Sequence, residues 1–105
     1  MTTNRREPRH ILFVAVNDAC MRNLPTLVRT WLPQGRQEGR EWVALNPTRA
    51  DKRLGSFRVN LLSGKWADFA TGDKGGDPVS LYAYREGLGQ VEAARELIES
   101  WGMRA

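Results

Sequence analysis

The sequence predicts an α+β domain in which a small three-stranded antiparallel sheet follows one N-terminal helix and precedes two C-terminal helices. Three short runs between Glu41 and Phe69 are strand-like, and in the middle run, residues 57–60, apolar and polar residues alternate as on a sheet with two different faces. Two later stretches place apolar residues at helical spacing, and each stretch is followed by a glycine. The 105 residues suffice for one modest core, so we expect a single domain over residues 11–105.

The first ten residues are polar and basic, and we expect them to form a mobile arm. Its arginines are Arg5, Arg6 and Arg9. The apolar run Ile11–Val16 that follows fits either a buried strand or the beginning of a helix, and the sequence leaves both open.

The predicted N-terminal helix begins after Asn23, a residue type suited to capping, and ends before Pro33. Its apolar face is formed at spacings of three and four residues by Leu24, Leu27, Val28, Trp31 and Leu32. Residues 34–40, which are rich in glycine and charge, predict a loop.

The three predicted strands contain Trp42, Val43 and Leu45, then residues 57–60, then residues 66–69. In the third strand, the alternation places Trp66 and Asp68 on one face and Ala67 and Phe69 on the other. The glycine-rich residues 71–77 that follow predict a tight turn.

The first C-terminal helix is predicted from Asp77 as N-cap and Pro78 as first helical residue, and it ends at Gly87. The last helix follows Gly89 and ends at Gly102. Its apolar stripe is Val91, Ala94, Leu97, Ile98 and Trp101.

Composition narrows the function classes. The formal net charge of +4 permits an anionic partner without requiring one. Cys20 is the only cysteine, so one chain contains neither a disulfide nor a thiolate metal cluster, and we expect this thiol to be a buried small apolar group. The longest apolar run is too short to span a bilayer, and we expect a cytoplasmic protein without a membrane partner.

Catalytic chemistry has weak support. His10 is the sole histidine and lies in the predicted arm, so a histidine-based triad has no orienting partner. The turn at residues 71–77 lacks the spacing of a nucleotide-binding loop, and a tight turn with an N-cap is the favoured interpretation over a phosphate cradle. A magnesium site is similarly disfavoured for the carboxylates Asp51, Asp68, Asp73 and Asp77. We therefore expect no enzymatic activity from this chain by itself.

Several motifs follow one another in a recognisable order. They are Asn46-Pro47-x-Arg49, Ser56-Phe57-Arg58-Val59, Trp66-x-Asp68-Phe69-Ala70-Thr71-Gly72, Gly75-Gly76-Asp77 and Glu92-Ala93-Ala94-Arg95-Glu96-Leu97. This order resembles the N-terminal zinc-binding domain of bacterial, phage and plasmid DNA primases over about residues 24–102. The resemblance implies a zinc-ribbon-like fold and a role in recognising single-stranded template DNA, as a non-catalytic domain of a primase or primase-helicase.

The chain departs from that family at every metal-ligand position. Asn46, Arg49, Asp68 and Thr71 stand where the family has three cysteines and a histidine. Because structural zinc requires thiolate or imidazole ligands, we expect a metal-free domain without a cofactor. In place of the metal we expect an Arg49–Asp68 ion pair, with packing across the sheet by Trp42, Phe57, Trp66 and Phe69.

The residues and the resemblance together predict a nucleic-acid-binding module with single-stranded DNA as partner, because cations neutralise phosphates and aromatic rings stack on bases. The predicted binding residues are Arg49, Lys52, Arg53, Arg58, Lys65 and Trp66. The alternative is a metal-free protein-interaction or structural module, whose partners are other replication proteins or further domains of a longer chain. Its working surface would be an acidic helical face with Tyr82, Tyr84, Glu92, Glu96 and Glu99.

Overall fold

The computed structural model describes residues 9–49 and 54–104, which form four helices and five strands. Their order is α1 (Arg9–Arg22), α2 (Leu24–Trp31), β1 (Arg36–Glu38), β2 (Glu41–Ala44), β3 (Phe57–Asn60), β4 (Trp66–Asp68), β5 (Lys74–Gly75), α3 (Pro78–Glu86) and α4 (Gln90–Trp101). The strands form one antiparallel sheet in chain order, from β1 at one edge to β5 at the other.

The predicted α+β class is correct, but the three-stranded sheet and the single N-terminal helix are wrong. The sheet has five strands, and two helices precede it. Strands β2, β3 and β4 correspond to the three predicted strands. Strand β1 lies in the segment predicted to be a loop, and β5 lies in the segment predicted to be only a tight turn.

Both additional strands are edge strands, which explains why alternation did not reveal them. Arg36 and Gln37 of β1 are exposed, and charged residues are common on sheet edges because they discourage pairing with other chains. Strand β5 has only two residues, too few to show alternation. Its Gly75 is required by space, since a Cβ atom there would lie 2.4 Å from Trp66 Nε1.

The apolar run Ile11–Val16, for which the sequence left a strand and a helix open, lies in helix α1. Leu12 and Phe13 are half-buried, Val14 is exposed and Val16 is buried, so apolar side chains surround the helix and leave no stripe to detect. The last two residues of the predicted arm belong to α1, and residues 1–8 lie outside the described part of the chain. No helix within that part is long and apolar enough to cross a bilayer.

The other predicted helices are confirmed. All five apolar residues assigned to the α2 face are buried, although the Asn23 side chain donates to Ala19 O (2.9 Å) and does not cap α2. Asp77 caps α3 with Pro78 in the first turn, and α3 and α4 end at Gly87 and Gly102, both left-handed.

The core lies between the helices and one face of the sheet. The sheet contributes the buried residues Trp42, Ala44, Phe57, Val59 and Trp66. The aromatic pair Trp66 of β4 and Tyr84 of α3 joins the two layers, with 4.7 Å between ring centroids. Within the helical layer, Trp31 of α2 lies 5.2 Å from Tyr82 of α3. Within residues 9–49 and 54–104 the helices pack against this face, and a groove lies on the opposite face of β3, β4 and β5.

Candidate nucleic-acid interface

The open face of the sheet carries a groove of about 580 Å³ that strands β2 to β5 all border. Arg58, Ala67 and Lys74 are register partners on three neighbouring strands, so their side chains leave the sheet on the same side. Lys65 and Phe69 lie two residues before and after Ala67 and project from that side as well. Alternation therefore assembles three cations and one aromatic ring around a single concave surface.

Phe69 supplies the aromatic surface of the groove. Its side chain is 73% exposed, so the prediction that Phe69 packs across the sheet is wrong. The strand pattern explains the result, because Trp66 and Asp68 occupy the helix-facing side of β4 and leave Phe69 on the other. An exposed aromatic ring between basic side chains is a common binding surface for unpaired bases.

The three cations of the groove differ in how they are held. Lys65 and Lys74 are exposed, and neither ammonium group forms a hydrogen bond or ion pair within residues 9–49 and 54–104. Arg58 Nη1 instead lies 3.0 Å from Glu41 Oε1, and Arg58 Nε donates to Gly55 O at 3.0 Å. The two lysines are therefore the cations most readily available to an anionic ligand.

The predicted binding residues are only partly brought together. Arg58 and Lys65 both line the groove. Arg49 instead borders a separate pocket of about 260 Å³ beside Trp31 and Leu45. Lys52 and Arg53, like Asp51 of the disfavoured magnesium cluster, lie outside the described residues.

Trp66 borders the groove, but its side chain is a core residue. It is 5% exposed, and its Nε1 donates to Ser80 Oγ at 2.9 Å on the helix-facing side. Phe57 stacks on the ring at 5.7 Å between centroids. A base therefore has no access to the flat face of Trp66, and the groove's stacking surface is Phe69, which the sequence prediction left out together with Lys74.

Two of the four residues at predicted ligand positions, Asn46 and Asp68, form a buried polar contact. Asn46 Nδ2 donates to Asp68 Oδ2 at 2.6 Å, and both side chains are shielded from solvent. Burial by itself raises the pKa of Asp68. Hydrogen bonds from Asn46, from the Ala70 amide and from Ser56, with the nearby charge of Arg49, outweigh burial and lower that pKa below its ordinary value.

The Asn46–Asp68 contact belongs to a hydrogen-bond network that links the turn after β2 and the turn after β4 to α3. Asn46 Nδ2 also donates to the hydroxyl of Tyr84 (2.9 Å), and that hydroxyl donates to Asp73 Oδ2 at 2.7 Å. Asn46 Oδ1 accepts from the amide of Thr48 at 2.7 Å, while Thr71 Oγ1 accepts from the Asp73 amide at 3.1 Å. Among the described residues, no group of three or more histidine, cysteine, aspartate or glutamate side chains is arranged to hold a metal ion.

The expected Arg49–Asp68 ion pair is therefore secondary to a different contact. Arg49 is exposed and acts on Asp68 through its charge, whereas the buried carboxylate accepts its hydrogen bonds from Asn46, the Ala70 amide and Ser56. The backbone amide of Arg49 donates to Asn46 O at 3.3 Å, which closes the turn that positions Asn46.

The backbone amides in the first turn of α3 are already hydrogen-bonded within the protein or absent, so they are not free to bind a phosphate. Pro78 has no N–H, and the amide of Val79 donates to Asn17 Oδ1 of α1 at 2.9 Å. The amide of Ser80 donates to Asp77 Oδ1 at 2.8 Å. A phosphate cradle at this helix therefore has no support, as the capping interpretation predicted.

Two buried titratable side chains, Cys20 and Tyr82, have raised pKa values and contribute to the core. Cys20 is fully buried, as predicted, and burial with the charge of Asp77 raises its pKa to about 12. Burial and a hydrogen bond to Glu96 raise the pKa of Tyr82 to about 12. Tyr82 is 3% exposed, and the half-buried ring of Tyr84 packs against Phe57 and Trp66, so neither ring is presented on the acidic helical face. Glu92 and Glu99 are exposed there.

No protein-family profile matches the chain, and a sequence search of curated proteins finds no match. The geometry defines its class: a small α+β domain with helices on one face of a five-stranded sheet and a basic, aromatic groove on the other. The resemblance to primase zinc-binding domains stays a prediction from the sequence motifs.

Proposed function

We propose that this protein is a single-stranded-DNA-binding module and that the groove on its open sheet face is the binding site. The observation that carries the proposal is that one groove holds the exposed ring of Phe69 together with Lys65 and Lys74, two lysines that form no ion pair within residues 9–49 and 54–104. Phosphates bind cations and release counterions, while an unpaired base presents a flat face to an aromatic ring. A duplex hides its base faces, so the same surface favours single strands.

The proposal includes the template-recognition role that the primase resemblance implies, in a replication protein of the cytoplasm. Two features support it. The turns at the predicted ligand positions contact each other through Asn46 and Asp68, and the sheet beside these turns has an open basic face. In this interpretation the polar network replaces the metal as the link between the turns. The domain binds template and leaves catalysis to other polypeptide.

A titration of the purified protein into a fluorescein-labelled oligothymidylate, followed by anisotropy at several salt concentrations, tests this function. Tryptophan fluorescence is a poor probe here because Trp66 is buried. We expect affinity to fall as salt rises, with a slope of roughly 0.7 in log–log form for each phosphate contacted. Backbone amide shifts are expected to cluster on Arg58, Lys65, Phe69 and Lys74.

Lys65→Gln and Lys74→Gln should each weaken binding and reduce the salt slope by roughly 0.7. Arg95→Gln is the matched control, because it removes one positive charge from the exposed surface of α4, outside the groove. Equal effects of all three variants would indicate a general charge effect without a site. A folded protein that binds no DNA at high micromolar concentration would overturn the proposal and favour the metal-free interaction module.

A further inference from the structure

Two glutamates stand directly opposite each other next to the groove. Glu38 of β1 and Glu41 of β2 are register partners, and like charges in that relation repel. Arg58 lies beside both, with its Nη1 atom 3.0 Å from Glu41 Oε1 and 3.7 Å from Glu38 Oε1. The guanidinium therefore relieves a repulsion that the strand register creates.

Of the two glutamates, Glu41 is the principal partner of Arg58. Glu38 Oε2 has its own cation, since it lies 2.7 Å from Arg36 Nη2. Glu41 has no second cation among the ion pairs of the described residues, and it borders the groove itself. A charge change at Glu41 thus acts on Arg58 more directly than one at Glu38.

The ion pair is accessible to a ligand. The side chains of Arg58 and Glu41 are 32% and 36% exposed, so water and a phosphate oxygen can reach the pair. An oxygen of a phosphate is chemically similar to the carboxylate oxygen that Arg58 already contacts. A phosphate that binds Arg58 must therefore displace Glu41 and accept its negative charge as a close neighbour.

We propose that Glu41 is an internal competitor for phosphate at Arg58, and that it keeps the affinity of the groove for single-stranded DNA below what its three cations would provide. The inference rests on the proposed function, because it concerns the regulation of the same site. In the native protein, DNA phosphates contact Lys65 and Lys74, while Arg58 stays with Glu41. Any event that removes the Glu41 charge adds a third cation to the interface.

The experiment is a double-mutant cycle with the full chain and a labelled oligothymidylate. Glu41→Gln should bind roughly three- to tenfold more tightly than the native protein at low salt, with a salt slope steeper by about 0.7 for one added phosphate. Arg58→Gln should weaken binding by the native protein less than Lys65→Gln does, because Arg58 does not contact phosphate there and its loss acts only by leaving the Glu41 charge unneutralised beside the groove. The same replacement in the Glu41→Gln background should abolish the whole gain.

Glu99→Gln on α4 is the matched control, because it removes one exposed carboxylate away from the groove. Thermal unfolding of each variant verifies that the sheet is intact. If native protein binds DNA and Glu41→Gln gains no more than Glu99→Gln, the competitor role is overturned and the proposed function stands. If Arg58→Gln weakens the native protein as strongly as Lys65→Gln does, Arg58 already contacts phosphate and the inference is wrong. If neither native protein nor Glu41→Gln binds DNA, both proposals fail.

Discussion

Asn46 donates a 2.6 Å hydrogen bond to the carboxylate of Asp68, 22 residues further along the chain, and both side chains are buried. The contact joins the turn after β2 to the turn after β4 at the positions where the resembling family binds a metal. Each partner is oriented by its own turn, Asn46 by the amide of Thr48 and Asp68 by the amide of Ala70. The link is therefore held in place from both sides.

Asn46→Ala should destabilise the fold because it removes a donor from a buried carboxylate. We expect the free energy of unfolding in urea at neutral pH to fall by about 1–3 kcal/mol, the usual cost of an unsatisfied buried group. Ser100→Ala, at an exposed position of α4 outside the network, is the control, and a change of about 0.5 kcal/mol or less is expected for it. Similar losses in both variants, or an unchanged stability of Asp68→Ala, would show that the network does not link the turns.

The stabilising effect of Asp68 should depend on pH. Because the folded pKa lies below the ordinary value of 3.8, the unfolded chain takes up the proton first as pH falls. The contribution is therefore complete above the ordinary pKa and is lost as pH falls through the folded pKa. In urea unfolding between neutral and acidic pH, native protein and Asp68→Asn should differ most near neutrality and converge in acid.

Asp18→Asn, on the exposed surface of α1, controls for the loss of one carboxylate. A difference between native protein and Asp68→Asn that stays constant down to acidic pH would contradict the pKa direction and its cause.

Phe69→Ala should weaken binding of single-stranded DNA without weakening the fold. Stacking of one base on an aromatic ring contributes about 1–3 kcal/mol, so we expect a loss of about 5- to 150-fold in anisotropy titrations. Phe69→Trp should retain affinity, because the ring remains. Leu62→Ala is the matched control, since Leu62 is 64% exposed on the neighbouring β3–β4 turn but carries no ring. A similar loss in Leu62→Ala would argue against stacking.

The resemblance to primase zinc-binding domains has its own test. A variant with Asn46→Cys, Arg49→His, Asp68→Cys and Thr71→Cys restores the ligand set, and we expect one zinc ion bound per chain. Cobalt substitution should give the visible absorption of a tetrahedral thiolate site. The variant with only Asn46→Cys and Asp68→Cys is the control and should bind far more weakly. Equal binding by both would mean that the four positions do not converge as the family's ligands do.

The sequence was informative where physical patterns are local. Alternation revealed β3, the turn residues 62–65 marked the beginning of β4, and the end residues Asp77, Gly87 and Gly102 located the last two helices correctly. Helix α1 was ambiguous because its apolar residues surround the axis. Strand β1 resembled a loop because an exposed edge strand favours charge, and β5 is too short for any pattern.

The site was harder to predict because it depends on which sheet face the helices cover. Strand β4 has an aromatic residue on each side, Trp66 on one and Phe69 on the other, and alternation cannot tell which side is buried. Arg58 and Lys65 were predicted and do line the groove, whereas the choice of Trp66 over Phe69 depended on that unknown. The Asn46–Asp68 hydrogen bond is equally invisible in sequence, because it joins distant turns.

The hydrogen bond from the Val79 amide to Asn17 has a consequence for motion. The two residues are 62 positions apart, so the first turn of α3 depends on a side chain near the other end of the chain. Release of α1 from the domain would expose that amide, and its exchange with deuterated solvent should then report the opening of α1. Asn17→Ala should accelerate exchange at Val79 while amides in the middle of α4 stay slow. Deuterium exchange at the Val79 amide would thus report the contact between the first and third helices separately from the stability of the sheet.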